Sequence, residues 1–182
     1  MLCDNKKTLA VFFKSLLFKV DNETMAGLYC NLGIAYWNKG DYEAAEKYHR
    51  QGLALPGLSN AKRGLLLGAL AQTLLDEGRT AQAARYATES LALLAKENAG
   101  DRSILEYRCY SRRTAGIAYT RLGKTGEANR LLSGAKTDAL SAFGKHSRDL
   151  GKIELAFAEL WLGQSNTAKA MEAANRALSA VL

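Results

Sequence analysis

The chain has 182 residues, of which 48% are apolar and 24% charged, with a formal net charge of +7. These values exclude a disordered or collagen-like chain and suit one domain or an elongated repeat array. A single proline, Pro56, beside many Ala, Leu and Glu excludes a turn-rich β protein and points to long helices, so the expected fold class is all-α.

The first element in chain order is a helix over 5–20. Leu9, Phe12, Phe13, Leu16, Leu17 and Val20 share one apolar stripe, and Val11 and Phe18 sit on the other side. Lys14 and Lys19 interrupt the run and no small-residue cleavage site comes after it, so it does not read as a secretory signal. No apolar run in the chain is long enough to span a bilayer. This helix is expected to cap the helical region C-terminal to it, or to contact a partner or a second copy.

Four segments then repeat one plan. They are 28–55, 65–93, 110–136 and 150–179, and each reads as a helical pattern, a glycine and a second helical pattern. The tetrapeptide GIAY occurs at 33–36 and again at 116–119. The turn glycines are Gly40, Gly78, Gly123 and Gly163, each ending one helix. Asp41, Thr80, Thr125 and Ser165 or Asn166 stand at N-cap distance to open the next. Small residues stand where two helices must approach: Gly33, Ala71, Gly116 and Ala156 in the first helices, Ala45, Ala83 and Ala128 in the second.

These segments resemble tetratricopeptide repeats. The first carries Tyr29, Leu32, Gly33, Tyr36, Gly40, Tyr42 and Ala45, and the third carries Ala115, Gly116, Tyr119, Gly123 and Ala128. The second and fourth keep Leu70, Leu155 and the alanines, with Leu74 and Glu159 in the aromatic's place. Their spacing is longer than the family's unit of about 34 residues, closer to its kinesin-light-chain or transcription-regulator style. The resemblance implies a right-handed superhelix of about four helix pairs over 23–182, with repeats at about 24–57, 60–96, 102–143 and 146–181, preceded by a helical segment over 1–22.

It also implies a concave groove lined by the first helices and used to hold a protein or peptide. Carried over by position, the expected lining is Asn31, Ile34, Trp37 and Asn38 from the first repeat and Gln72 from the second. The third adds Arg113, Thr114, Ile117 and Arg121, and the fourth adds Phe157 and Trp161. Asn31 would hold a peptide backbone. Arg113 and Arg121 would fork onto acidic groups. The aromatics would give pockets. The two-carboxylate clamp that some members use for chaperone tails would need Lys, Asn, Asn, Lys and Arg at Cys30, Ile34, Ala69, Tyr110 and Thr114, and none matches.

Nothing points to catalysis. The two histidines, His49 and His146, are far apart, and no nucleophile, phosphate-loop or metal-spaced motif occurs. His49 is expected to be a packed structural residue. Cys3, Cys30 and Cys109 form no CxxC and no disulfide framework, and reduced thiols suit the cytoplasm. Neither a cofactor nor a metal is implied. Over 102–136 there are 8 Lys/Arg against 2 Asp/Glu, which allows a second reading as an RNA-binding or nucleic-acid-linked regulator. A third is self-association through helix 5–20 or the apolar end ALSAVL, which is also what a fragment of a longer protein would show.

Overall fold

A computed structural model describes residues 20–180, and the expectations for helix 5–20 and for Val181 and Leu182 lie outside them. Most of the helices begin where a short polar side chain meets their free N–H groups. Asp21 accepts from the backbone N–H of Thr24, Asp41 from Ala44, Ser59 from Lys62, Asp101 from Ser103, Ser147 from Leu150 and Asn166 from Lys169, at 2.8–3.2 Å. The helices of the described residues are α1 (Asn22–Asn38), α2 (Tyr42–Leu53), α3 (Asn60–Asp76), α4 (Thr80–Leu94), α5 (Arg102–Arg121), α6 (Thr125–Phe143), α7 (Arg148–Gly163) and α8 (Thr167–Ser179). Among the described residues there is no strand.

The turn inside each pair has one geometry, and it corrects the expected alignment of the fourth repeat. Gly40, Gly78 and Gly123 have positive φ, and the residue after each donates its N–H back to the first helix: Asp41 to Tyr36, Arg79 to Leu74, Lys124 to Tyr119. In the fourth pair the positive-φ residue is Ser165 (φ 56°), and Asn166 donates to Trp161 at 2.9 Å. Gly163 is the last residue of α7. The fourth repeat is therefore read two residues too early from its glycine. The residue after the positive-φ position is the N-cap in every pair. That makes Arg79 and Lys124 the caps, without side-chain bonds, and puts Thr80 and Thr125 inside the helices they were expected to cap.

In the corrected register the repeat is more regular than its sequence. Five residues after the turn stand Ala45, Ala83, Ala128 and Ala170, all buried. Four before it stand Tyr36, Leu74, Tyr119 and Trp161, so the fourth repeat keeps its aromatic. The close-approach residue of α7 is Ala158 rather than Ala156.

The helix-pair contacts are sized to one another. A Cβ on Gly33 would collide with the His49 ring, and one on Gly116 would stand 2.6 Å from Cδ2 of Leu132. Ala71 faces no such bulk, because its partner position holds Ala87 in the same buried cluster. Glycine thus meets a large side chain and alanine meets alanine, which keeps the interior close-packed without strain.

Successive pairs stack. α1 touches α3, α3 touches α5 and α5 touches α7, whereas the second helices have no comparable contacts with each other among the described residues. The first helices are therefore the crowded, inner layer, and the stack curves around them into a superhelix. No described helix is long and apolar enough to cross a membrane.

Candidate functional site: the wall of first helices

The inner wall presents the residues of α1, α3, α5 and α7 just C-terminal to the close-approach position, plus those one turn before it. A chain of side-chain hydrogen bonds runs across three of these helices. Trp37 Nε1 donates to Asp76 Oδ2 at 2.7 Å, and Gln72 Nε2 donates to the same oxygen at 2.8 Å. Gln72 Oε1 in turn accepts from Thr114 Oγ1 at 2.8 Å and from Arg113 Nη2 at 3.4 Å. The network fixes the Gln72 amide and holds the Trp37 ring against α3, so both belong to a preformed surface.

Arg113 and Arg121 share a helix but differ in state. Arg121 pairs with Glu159 of α7 at 3.0 Å and its Nη1 reaches the Leu75 carbonyl at 3.4 Å. Its charge is already matched. Arg113 has no carboxylate partner among the described residues. Its contacts are the long bond to a neutral amide and the Tyr110 ring, 6.0 Å from the guanidinium carbon, and its Nε is buried without a hydrogen-bond partner.

The other expected lining residues divide. Ile34 and Asn38 are exposed on α1, and Ile117 is half-buried on α5. Thr114 is buried and positions Gln72 rather than facing outward. Asn31 borders a hollow with Met25, Leu28, Tyr29 and Leu32, on the end of the stack rather than along the wall. Phe157 is buried in the core, and Trp161 packs against the same cluster with Lys169 Nζ 4.7 Å over its ring. Both also border a cleft of about 380 Å³ between α6 and α8, so neither belongs to the inner wall. The two-residue register shift replaces them with Glu159 and the exposed Leu162, while the exposed Leu155 borders a hollow with Lys152 and Leu178 of the last helix pair, on the other end of the stack. Trp161 at the aromatic position and Ala170 at the alanine position are the sequence signals that locate them.

Five of the eight cations in the basic stretch have carboxylate partners, four of them through residues outside it. Arg108 and Arg112 both bind the buried carboxylate of Asp138 at 2.6 Å, Lys136 binds the buried Glu154, Arg121 binds Glu159 and Arg102 binds Glu106. That leaves Arg113, Lys124 and Arg130 without a carboxylate among the described residues. Nothing in these side chains forms a nucleophile. Burial pushes the thiols of Cys30 and Cys109 up to about 11 and about 12, far from the reactive range. His49 is buried against Gly33, and desolvation pulls it down to about 4, weakly opposed by the Cys30 backbone.

With this geometry in place, the comparisons with known proteins are decisive for the fold. Residues 26–56, the first helix pair, match the tetratricopeptide repeat family model. The first helix pair is a tetratricopeptide repeat, and the described residues fold as a tetratricopeptide-like solenoid. The same turn and packing rules then extend the repeat through the three later pairs, which the family model does not cover. Among solved structures the solenoid is similar to BtubC (BKLC) from P. vanneervenii, with 16% identity and a TM-score of 0.69 over 88% of this chain. The match spans 63% of that protein's length and speaks for the fold alone. No curated protein sequence matches the chain. Tetratricopeptide repeats generally mediate protein–protein interaction as non-catalytic scaffolds.

Proposed function

We propose that the inner wall holds an extended segment of a partner protein and that Arg113 binds an acidic side chain on it. The observation that carries this reading is the state of Arg113. It is a charged fork on the wall, backed by Tyr110 and by a Gln72 amide that Thr114 and Asp76 hold in place, yet it lacks an acidic partner among the described residues. A carboxylate arriving there would accept two parallel N–H bonds, the arrangement a guanidinium favours. Ile34, Ile117 and Leu162 supply apolar contact along the same wall, and Asn38 a polar one. In this reading the protein is a cytoplasmic scaffold without a cofactor. Arg121 supports the wall through Glu159 and does not read the ligand.

The nucleic-acid reading gains nothing from the arrangement of charge. Five of the 8 cations in 102–136 already have carboxylates, so the counterions that phosphate binding would release are few.

The test is an array of immobilised extended peptides with and without a central Asp or Glu, probed with the wild-type chain and with Arg113→Glu. The expected result is retention on acidic peptides by the wild type and loss by the variant. Equal retention by both proteins, or no preference for acidic peptides, would sink the assignment.

A further inference from the structure

One face of α1 is built like an internal face, yet no described residue covers it. Leu28 and Leu32 are 43% and 44% exposed, and together with Met25 and Tyr29 they line a hollow of about 400 Å³. The repeat shows what these positions do elsewhere. The counterparts of Leu28 are Leu66, Ser111 and Ile153, and those of Leu32 are Leu70, Ala115 and Phe157, and all six are buried. These positions pack against the second helix of the pair before. Leu66 lies on Gly52 of α2, Ser111 bonds to Ser90 of α4 at 2.8 Å, and Ile153 and Phe157 share a cluster with Ala135 and Ala139 of α6. Leu28 and Leu32 therefore stand where a preceding second helix belongs.

We infer that residues 5–17 of this chain supply that helix and dock on Leu28 and Leu32. Three observations favour this occupant. Leu9, Phe12, Phe13, Leu16 and Leu17 recur at helical spacing as the apolar stripe a second helix needs, with Val11 the one large apolar residue of 5–17 on the other side. A helix over 5–17 has the length of α8, which has 13 residues. Residues 18–21 then connect it to α1, and the link 144–147 between α6 and α7 shows that so short a connection suffices for an antiparallel return. The docked helix would remove two large exposed leucines from water, a gain for each that favours docking. The inference stands on the end of the stack and is independent of how the wall is used.

Amide hydrogen exchange on the full chain, read at two protein concentrations a hundredfold apart, tests it. The expected result is protection within residues 8–17 at both concentrations, with a monomer by light scattering. Leu28→Ser with Leu32→Ser then accelerates exchange in 8–17 by about tenfold or more, and Phe12→Ser with Leu16→Ser does the same to α1. Exchange in α7 and α8 stays unchanged in both variants and shows that the rest of the solenoid is folded. Exchange of 8–17 at the rate of an unstructured peptide in the wild type would overturn the inference. So would protection that vanishes on dilution, which would assign the face to a second copy.

Discussion

The first and third repeats share the tetrapeptide GIAY and are held together by different chemistry. In the first, the pair is short, with 17 and 12 residues in its helices, and its interior is aromatic. Tyr48 stacks between Tyr29 and Tyr36, with ring centroids 6.3 and 5.2 Å away, and the His49 ring fills the space that Gly33 leaves. In the third, the helices have 20 and 19 residues, Leu132 fills the space at Gly116, and two arginines of α5 grip one buried carboxylate of α6. A repeat motif of this kind specifies a spacing between helices. It leaves open whether rings, aliphatic chains or ions fill that spacing, and each filling responds to a different perturbation.

The largest effect is expected where the third repeat is ionic. Asp138→Ala leaves two partly buried guanidinium groups facing an emptied site, a loss of about 3–5 kcal/mol in chemical unfolding. A loss below about 1 kcal/mol would show that the pair is solvated and that the two repeats differ less than described.

Next come the glycines. Gly33→Ala pushes a methyl into the His49 ring and costs about 1–3 kcal/mol in melting experiments. The second repeat supplies its rescue, because it runs alanine against alanine at Ala71 and Ala87. Gly33→Ala combined with His49→Ala should be more stable than the sum of the single effects predicts. Simple additivity would break the proposed size matching.

The third effect is one of pH. His49 is held neutral, below its ordinary 6.5 and near about 4. The unfolded chain therefore takes up the proton first, so stability is full above pH 6.5 and falls as pH drops toward 4, by on the order of 3 kcal/mol in all. His49→Leu, which copies the Leu132 solution of the third repeat, should flatten that slope between pH 6.5 and 4. An unchanged slope would assign the acid sensitivity to other groups.

The smallest effect belongs to the exposed pair on the wall. Arg121→Ala should change stability by no more than about 1 kcal/mol, measured by urea unfolding.

The helical plan, the pairing and the inner layer were legible in the sequence because glycine and alanine spacing encodes them. The fourth register was not, because Ser165 adopts the left-handed turn while Gly163, a better candidate by residue type, ends the helix. That slip carried Phe157 and Trp161 onto the wall and left Glu159 off it. Charge counting missed pairing for a related reason. It saw the cations of 102–136, but Asp138, Glu154 and Glu159, which pair with four of the eight, lie beyond that window. The difference between Arg113 and Arg121 is equally invisible in one dimension, since it depends on what the neighbouring first helices place opposite each guanidinium.

That difference gives the most direct test of how the wall binds. Binding of acidic and basic extended peptides is measured for the wild type, Arg113→Glu and Arg121→Glu. Arg113→Glu is predicted to exchange acidic for basic preference, while Arg121→Glu keeps the wild-type preference. An exchange produced by Arg121→Glu, or by neither variant, would contradict the role given to Arg113.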